Sequence, residues 1–502
     1  MDTYYKYKKF VTLGPCFDCM KRHSIAIFVI SVLAVILACW YFFPAGGVKA
    51  GGMTFRFPSY ESYLRDLKEG RNDPDIDSVL LAARRSIELI QESSDTLGFF
   101  KEYFSTDPNR VFTPDSGYTF FDSLFVEMEN ASSEGRVVRI MHYGDSQLEM
   151  DRISAVLRQE LQDRFGGSGP GMVPMIKPIS SVSVTQHASG ALTRYARVMD
   201  SLSNWTSTHR YGPMAQSVKV FGSGRFNFRR TENRYAQERA KRISKVSVLL
   251  GHNSPGLSVT LKCDTLKAMT EVIDSAKEEV SLLTWTLPAE VVSGYLSFTG
   301  DAEVYGIMLD GSPGVTVDNV ALRGCAGTVF DDMDSTSMKQ SFDLMDTPLI
   351  ILQFGGNAMP GISSRKGISL YVDQMDEQFE FFRKVAPKAK MLFVGPADMC
   401  KSYDGYLVTW PLLPELNDSL KVHCLQNGVA YWDTFNMMGG EGSMRRWVNH
   451  NPPLAGPDYI HFTTRGANEI GSAIARSLLV YYDFQQLRRK LPEGYVDDYM
   501  GR

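Results

Sequence analysis

The feature that most constrains the fold is an alternation of buried strands and amphipathic helices in two separated parts of the chain. It begins at "VVRIMHYG" (137–144), an apolar run of strand length, which is followed by a helical pattern from Met150 to Phe165. The alternation returns at "PLIILQFGG" (348–356) and continues to a long last helix that starts at Thr464. Strands separated by helices favour a parallel sheet covered on both faces, so the sequence predicts an α/β domain.

Between these two parts the pattern changes to short alternating strands with Gly and Pro between them. Examples are "SVSVTQH", "KVSVLL" and "GYLSFTG". Successive short strands of this kind are typical of a sandwich or a jelly roll. We therefore predict a β-sandwich over 180–315, inserted into an α/β domain that is formed by 131–179 and 316–490.

The N-terminus carries an uncharged apolar run at 24–43, "SIAIFVISVLAVILACWYFF". Its length predicts a transmembrane helix. Basic residues precede the run, so the positive-inside tendency predicts a cytoplasmic tail at 1–23 and a single-pass protein of the inner (cytoplasmic) membrane whose larger part is extracytoplasmic or periplasmic. A cleaved signal peptide or a lipoprotein cleavage site at Cys39 are alternatives. A linker at 44–60 and a helical segment at 61–130, packed on the α/β domain, are predicted to follow.

Charge and cysteine usage exclude several classes of function. The formal net charge is -4, so no general attraction to nucleic acid or acidic lipid is expected. The seven cysteines form no obvious disulfide framework. Cys16 and Cys19 form a CxxC, but a zinc site would need a second such pair, and no metal site is predicted. The sequence carries no signal for an oligomeric state.

Three short motifs with polar side chains are expected at one edge of the predicted sheet, beyond the carboxyl ends of its strands. Ser146 follows the first strand in "GDS", and Asn357 follows a later strand in "FGGN". Asp458 and His461 lie three residues apart just before the last helix. A serine nucleophile needs a base that takes its proton and a partner that orients the base, and an amide can donate to an oxyanion. Each motif alone has a plain alternative as a helix cap or a turn.

Taken together, these motifs resemble those of the SGNH, or GDSL-type, hydrolase family. "GDS" at 144–146 matches the first block of the family, "GGN" at 355–357 the third and "DYIH" at 458–461 the last. The remaining block is a glycine, and "VTVDNVALRGCAG" resembles it, with Gly324 as the matching residue and Gly327 close by.

The resemblance implies a flavodoxin-like three-layer hydrolase domain and a serine esterase mechanism. By resemblance, Ser146, Asp458 and His461 form the catalytic triad. The oxyanion hole is then made by the backbone N–H groups of Ser146 and Gly324 and by the side chain of Asn357. This chemistry requires no metal and no organic cofactor.

The inserted sandwich is similar to that of bacterial carbohydrate O-acetylesterases in this family, including ones that act on peptidoglycan. The resemblance therefore implies an O-acylated, and specifically O-acetylated, envelope glycan as substrate. Trp205, Trp285 and Tyr295 in the predicted sandwich are candidates for stacking on sugars, although most aromatic residues of β-domains belong to the core. An O-acetyltransferase with the same triad is one alternative. A glycan-binding envelope protein without catalytic activity is another.

Overall fold

The computed structural model describes residues 22–42, 48–50, 53–55, 60, 75–81, 95–403 and 405–501. The chain divides into two compact units, Met1–Pro74 with Ser402–Leu407, and Asp75–Lys401 with Val408–Arg502. The predicted CxxC and nearly all of the predicted cytoplasmic tail lie outside the described residues. The predicted domain boundaries stay predictions.

The strands and helices are numbered here in chain order. The strands are β1 (Val48–Ala50), β2 (Met53–Phe55), β3 (Val111–Phe112), β4 (Val137–Gly144), β5 (Gly171–Val173), β6 (Val184–Ala196), β7 (Gln216–Arg230), β8 (Ile243–Asn253), β9 (Leu257–Cys263), β10 (Met269–Ile273), β11 (Ser281–Val291), β12 (Ser293–Thr299), β13 (Ala302–Asp310), β14 (Gly314–Ala321), β15 (Leu349–Gln353), β16 (Lys390–Val394), β17 (Cys400–Tyr403), β18 (Tyr406–Thr409) and β19 (Ala430–Trp432). The helices are α1 (Arg22–Phe42), α2 (Thr96–Thr106), α3 (Asp122–Ser133), α4 (Arg152–Phe165), α5 (Ser335–Met345), α6 (Arg365–Val385), α7 (Leu413–Gln426), α8 (Thr434–Met437), α9 (Ser443–Asn449), α10 (Thr464–Arg488) and α11 (Tyr495–Met500). Residues 76–81 are also helical.

In the first unit, helix α1 includes residues 24–42 of the stretch that the sequence predicts to cross the membrane. Strands β1 and β2 pair antiparallel after it. Within the part of the chain that the structure describes, no helix combines the length and apolarity that a membrane crossing requires. The predicted transmembrane helix at 24–43 is therefore not supported.

A six-stranded sheet in the second unit has the order β14-β4-β15-β16-β19-β3. All neighbours are parallel except β3, which pairs antiparallel with β19 at the edge. Numbered along the chain, the five parallel strands have the order 2-1-3-4-5, which is the order of flavodoxin-like sheets. In such sheets the strand order reverses between the first and third strands, here β4 and β15, and ligands bind beyond the carboxyl ends of the strands at that point.

Helices cover both faces of this sheet. Adjacent residues of a strand point to opposite faces. The His142 side chain of β4 contacts Ser154 of α4 at 3.0 Å, whereas the ring of its neighbour Tyr143 lies 5.4 Å from the ring of Phe382 on α6. Burial on both faces explains why β4 is mostly apolar, with its polar residues Arg139 and His142 buried as well, and the predicted mixed α/β architecture is confirmed.

The segment between β4 and β14 folds as antiparallel β-structure. Strands β5 to β13 all belong to one hydrogen-bonded sheet of nine strands. Alternate residues of its strands, such as Val246 and Val248 on β8 and Leu296 and Phe298 on β12, share one apolar core. The structure thus supports antiparallel β-structure at the predicted place, but not the finer prediction of a sandwich at 180–315, because its hydrogen bonds join the strands into one sheet.

A buried charged cluster connects the two sheets. Arg139 on β4 donates from Nη1 to both carboxylate oxygens of Asp318 on β14, at 3.0 and 2.8 Å. Its Nη2 bonds Asp310 on β13 of the antiparallel sheet. The backbone N–H of Met172 on β5 donates to Asp318 Oδ1 at 2.7 Å. Because these groups are buried and paired, the cluster fixes the antiparallel sheet relative to the parallel one.

The three aromatic residues considered as sugar platforms have different environments. Trp285 is 4% exposed and belongs to the core of the antiparallel sheet, as most aromatic residues of β-domains do, so it is not a sugar platform. Trp205 is 55% exposed. The ring of Tyr295 is covered by the guanidinium of Arg225, 3.5 Å from its centroid. Of the three, Trp205 presents the most accessible surface.

Candidate active site

Ser146, His461 and Asp458 form one continuous chain of hydrogen bonds. Asp458 Oδ2 lies 2.7 Å from His461 Nδ1, and His461 Nε2 lies 2.8 Å from Ser146 Oγ. A carboxylate can only accept, so Nδ1 carries the proton and Nε2 is left to accept the proton of the serine hydroxyl. The three side chains that the sequence predicts as a triad are therefore brought together, in the order that a proton transfer from serine requires.

The serine lies in a sharp turn at the carboxyl end of β4. A 3-10 helix, Ser146–Asp151, starts here, and Asp145 caps it by accepting the backbone N–H of Gln147 at 2.9 Å. The helix predicted from Met150 begins at Arg152 instead, because Met150 and Asp151 have positive φ angles of 63° and 66°. The turn and the kink after it place Ser146 at the mouth of the cleft rather than inside a regular helix.

The imidazole is carried by the loop before α10. Asp458 Oδ1 accepts the backbone N–H groups of Ile460 and His461, each at 3.0 Å, while Oδ2 accepts the ring N–H. Partial burial on its own would raise the pKa of Asp458, but the hydrogen bonds from the backbone and ring of His461 lower it below its ordinary value. Asp458 therefore stays ionised and orients the imidazole at neutral pH.

Asn357 follows β15 and is held by the residue before the serine. Its Nδ2 donates to Asp145 Oδ2 at 2.9 Å. Burial raises the pKa of Asp145 to about 6, although the hydrogen bonds from Gln147 and Asn357 act in the opposite direction. One amide N–H of Asn357 is thus used by Asp145, and the second remains available as a donor.

Gly324 follows β14 and lines the same cleft as Ser146 and Asn357. Its φ of 74° is the left-handed conformation that favours glycine. The neighbouring Gly327 packs against the ring of Phe354 and donates its N–H to Cys325 Sγ at 3.3 Å. The sequence offers two glycines for the remaining block of the family, and Gly324 is the one whose backbone faces the cleft.

Sequence reasoning missed the role of Gln147. Its Nε2 donates to the carbonyl of Ile460 at 2.7 Å, and its Oε1 accepts the N–H of Phe462 at 3.2 Å. These peptide groups lie on either side of His461, so one side chain beside Ser146 clamps the loop that carries the base. The only signal in the sequence is the residue type, because a glutamine amide can both donate and accept.

A second missed feature is a buried polar network beneath the serine turn. His142 on β4 bonds Gln353 on β15 through Nε2 and Ser154 on α4 through Nδ1, each at 3.0 Å. Asn319 on β14 donates to Ser154 Oγ at 2.9 Å and to the carbonyl of Leu148 at 3.0 Å. Burial lowers the pKa of His142 to about 3, so this histidine stays neutral. The network supports the turn that carries Ser146.

The cleft has a volume of about 790 Å³ and lies at the carboxyl ends of β4, β14 and β15. The side chains of His461 and Asp458 are 40% and 49% exposed, so solvent reaches them. Among the described residues, no group of three or more His, Cys, Asp or Glu side chains is arranged to hold a metal ion. The cleft combines a serine hydroxyl bonded to an imidazole with nearby N–H groups, a set suited to acyl transfer.

Comparison with known proteins relates this fold to solved structures. No family model and no curated protein matches the chain. A solved structure of a peptidoglycan O-acetylesterase is similar with a TM-score of 0.59 and 19% identity, covering 76% of this chain and 99% of that chain. The predicted resemblance to an SGNH/GDSL-type esterase is thereby confirmed as a resemblance of fold.

Two further matches are weaker. A salicylyl acyltransferase from a tetracycline biosynthetic pathway has a TM-score of 0.26 and 12% identity, covering 59% of this chain and 97% of that chain. A family two carbohydrate esterase from Cellvibrio japonicus has a TM-score of 0.21 and 10% identity, covering 61% of this chain and 98% of that chain. These TM-scores are too low to support an argument about this chain.

Proposed function

We propose that this protein is a serine esterase that removes acyl groups, specifically acetyl groups, from an envelope glycan such as peptidoglycan. The observation that carries the proposal is the unbroken path from Asp458 through His461 to the hydroxyl of Ser146, with contacts of 2.7 and 2.8 Å. Such a path turns a weak nucleophile into a reactive one at neutral pH.

In the first half of the reaction, Ser146 Oγ attacks the ester carbonyl while its proton moves to His461 Nε2. Asp458 stabilises the imidazolium that forms. The negative charge on the carbonyl oxygen is met by the backbone N–H groups of Ser146 and Gly324 and by the amide of Asn357. His461 then gives its proton to the departing glycan oxygen, the ester bond breaks, and the acyl group stays on Ser146.

In the second half, a water molecule replaces the glycan. His461 takes a proton from the water as it attacks the acyl-enzyme, and the same N–H donors stabilise the second oxyanion. Acetate leaves, and the proton returns to Ser146. The solvent exposure of His461 and Asp458 supports hydrolysis over transfer of the acyl group to a second sugar, since water reaches the base directly.

The choice of glycan rests on two observations. The fold is shared with a peptidoglycan O-acetylesterase over nearly the whole length of that chain. The antiparallel sheet also adds residues to a cavity beside the cleft, and this gives room for a substrate larger than a simple ester. We also propose that the enzyme acts outside the cytoplasm, where such a glycan lies, and cell fractionation with an antibody to the chain tests this location.

Acetate release tests the proposed function. The wild type and Ser146→Ala are assayed side by side on 4-nitrophenyl acetate and on O-acetylated peptidoglycan. We expect the wild type to release acetate from both, and the variant to lose this activity by about 10³-fold or more. Equal inactivity of both proteins on both substrates would refute the esterase proposal. Release of 4-nitrophenol only when a sugar acceptor is supplied, with the acetyl group recovered on that sugar, would favour a transferase.

A further inference from the structure

A second cavity, with a volume of about 240 Å³, adjoins the cleft that holds Ser146. The two share a wall of four residues: Glu149, Met150, Ile179 and Arg323. The far side of the second cavity is formed by residues at the end of β6 and in the loop after it. The second cavity is therefore a direct neighbour of the cleft that holds Ser146.

The wall is held in a strained conformation. Met150 and Asp151 have positive φ angles, a backbone conformation that is costly for residues other than glycine. The strain is maintained by the buried Asp151 carboxylate, which accepts from both terminal nitrogens of Arg158 at 3.0 Å. The backbone N–H of Val182 also donates to the carbonyl of Met150 at 2.9 Å. Strain of this kind is typical of functional sites.

The charged side chains that line the second cavity include more cations than anions. Arg323 pairs with Glu149 at 2.6 Å, and Arg194 pairs with Asp200 at 2.8 Å. The remaining charged residue, Lys177, is partly buried and has neither a hydrogen bond nor an ion pair among the described residues. Burial lowers the pKa of its ammonium group. The charge of Asp151 also acts on this ammonium group, but Asp151 is paired with Arg158. Within the described part of the chain, Lys177 is therefore a cation without an ion pair of its own, which an anionic ligand would stabilise.

The rim of the cavity carries exposed apolar side chains. Met199 and Leu202 line it and are 59% and 65% exposed, and Trp205 follows in the same loop with 55% exposure. Large apolar side chains that remain exposed together beside a cavity indicate a ligand-binding surface. Their character suits the apolar face of a sugar ring, and an indole is the aromatic side chain that offers the largest stacking surface.

We propose that the second cavity binds a carboxylate carried by the same glycan that presents its ester to Ser146, with Lys177 as the cation that pairs with it. This inference rests on the proposed function for the occupant of the first cleft. An ammonium and a carboxylate form a charge-assisted hydrogen bond, which is stronger than a neutral one. Lys177 is then a specificity-determining residue that selects acidic acylated saccharides over neutral ones.

The inference is tested by binding, in a protein that cannot turn over. The full chain with Ser146→Ala is titrated by calorimetry with N-acetylmuramic acid and with its neutral methylamide. Galacturonic acid and its amide form a second pair, because the carboxylate can come from a lactyl ether or from a uronic acid. We expect the acid of one pair to bind about tenfold more tightly than its amide, and that pair identifies the source. Equal affinity of acid and amide in both pairs would overturn the inference.

Variants assign the effect to one side chain. In the Ser146→Ala background, Lys177→Met should abolish the preference for the acid, and Lys177→Arg should retain part of it. Lys388→Gln removes a positive charge from an exposed site and should leave the preference intact. A preference that persists in Lys177→Met would also overturn the inference. If the acid is preferred but the wild type releases no acetate, the binding inference stands and the esterase proposal fails.

Discussion

Asn357 donates a hydrogen bond to Asp145 at 2.9 Å, and this bond joins the loops that follow two neighbouring strands, β4 and β15. Asp145 precedes the serine, so the same residue caps the turn that carries the proposed nucleophile and orients the amide of the proposed oxyanion hole. The geometry of the two functional groups is therefore coupled through a single buried carboxylate.

Replacing Asp145 with asparagine tests this coupling. Asp145→Asn keeps the acceptor for the Gln147 N–H but places an amide donor opposite Asn357, so that the Asn357 side chain should turn away. We expect kcat on 4-nitrophenyl acetate to fall by about 10²-fold with little change in KM, close to the effect of Asn357→Ala. The double variant should be no worse than either single one, since both act through the same contact. Losses that add in the double variant would show that the residues act independently.

The two hydrogen bonds of Gln147 should keep the imidazole of His461 in position. Gln147→Ala removes both hydrogen bonds to the peptide groups beside His461 and should let the loop move by a fraction of an ångström or more. We expect kcat to fall by about tenfold or more, because small displacements of reacting groups are costly. Thermal unfolding, measured in parallel, separates this effect from a loss of fold. Unchanged kcat in a folded variant would mean that the loop holds His461 without these hydrogen bonds.

His142 should make stability depend on pH. Its pKa is lowered by burial to about 3, whereas the unfolded chain takes up the proton near pH 6.5. The unfolded state therefore binds more protons below pH 6.5, and the stability that His142 supports is lost as pH falls. Between pH 7 and pH 5 we expect the free energy of unfolding to fall by about 2 kcal/mol more in the wild type than in His142→Gln.

Denaturant unfolding at the two pH values measures this difference. Asp145 acts in the opposite direction, because its raised pKa makes stability fall as pH rises from about 4 to about 6. It is present in both proteins, so the comparison removes its contribution. Equal pH dependence in the wild type and His142→Gln would mean that the folded protein protonates this imidazole near its ordinary pKa.

The buried cluster between the sheets should contribute more to stability than a similar exposed one. Arg139→Met leaves the carboxylates of Asp318 and Asp310 buried without their partner, and we expect it to cost about 3–5 kcal/mol in the free energy of unfolding. Arg136→Met, three residues earlier, removes partly exposed ion pairs and should cost at most about 1 kcal/mol. Similar losses in the two variants, measured by denaturant unfolding, would contradict this difference.

The sequence predicts the parts of this structure that depend on local pattern. The apolar run of β4 predicts a strand buried on both faces, and the convergence of parallel strand ends brings Ser146, Asn357 and His461 to one edge of the sheet. These expectations need no knowledge of individual side-chain contacts. The roles of Asp145 and Gln147 could not be predicted in the same way, because their partners are more than 200 residues away in the chain.

Two other differences between the predicted and the observed structure have physical reasons. The prediction of a helix from Met150 missed the left-handed kink at Met150 and Asp151. The ion pair between Asp151 and Arg158, rather than local propensity, holds this kink. The alternation between 180 and 315 predicts strands, but it carries no information on which strands share hydrogen bonds. A long strand such as β7 pairs with β6, β12 and β13, and tertiary packing decides which strands pair.

Covalent labelling measures most directly whether Ser146 is the nucleophile. A fluorophosphonate reacts with a serine hydroxyl that a neighbouring base activates, and mass spectrometry then locates the modified residue. We expect the native wild type to gain one label on the peptide that contains Ser146, no label at this site in Ser146→Ala, and a rate lower by about 10³-fold or more in His461→Ala. A wild type that stays unlabelled, or that carries the label on another residue, would contradict a catalytic role for Ser146.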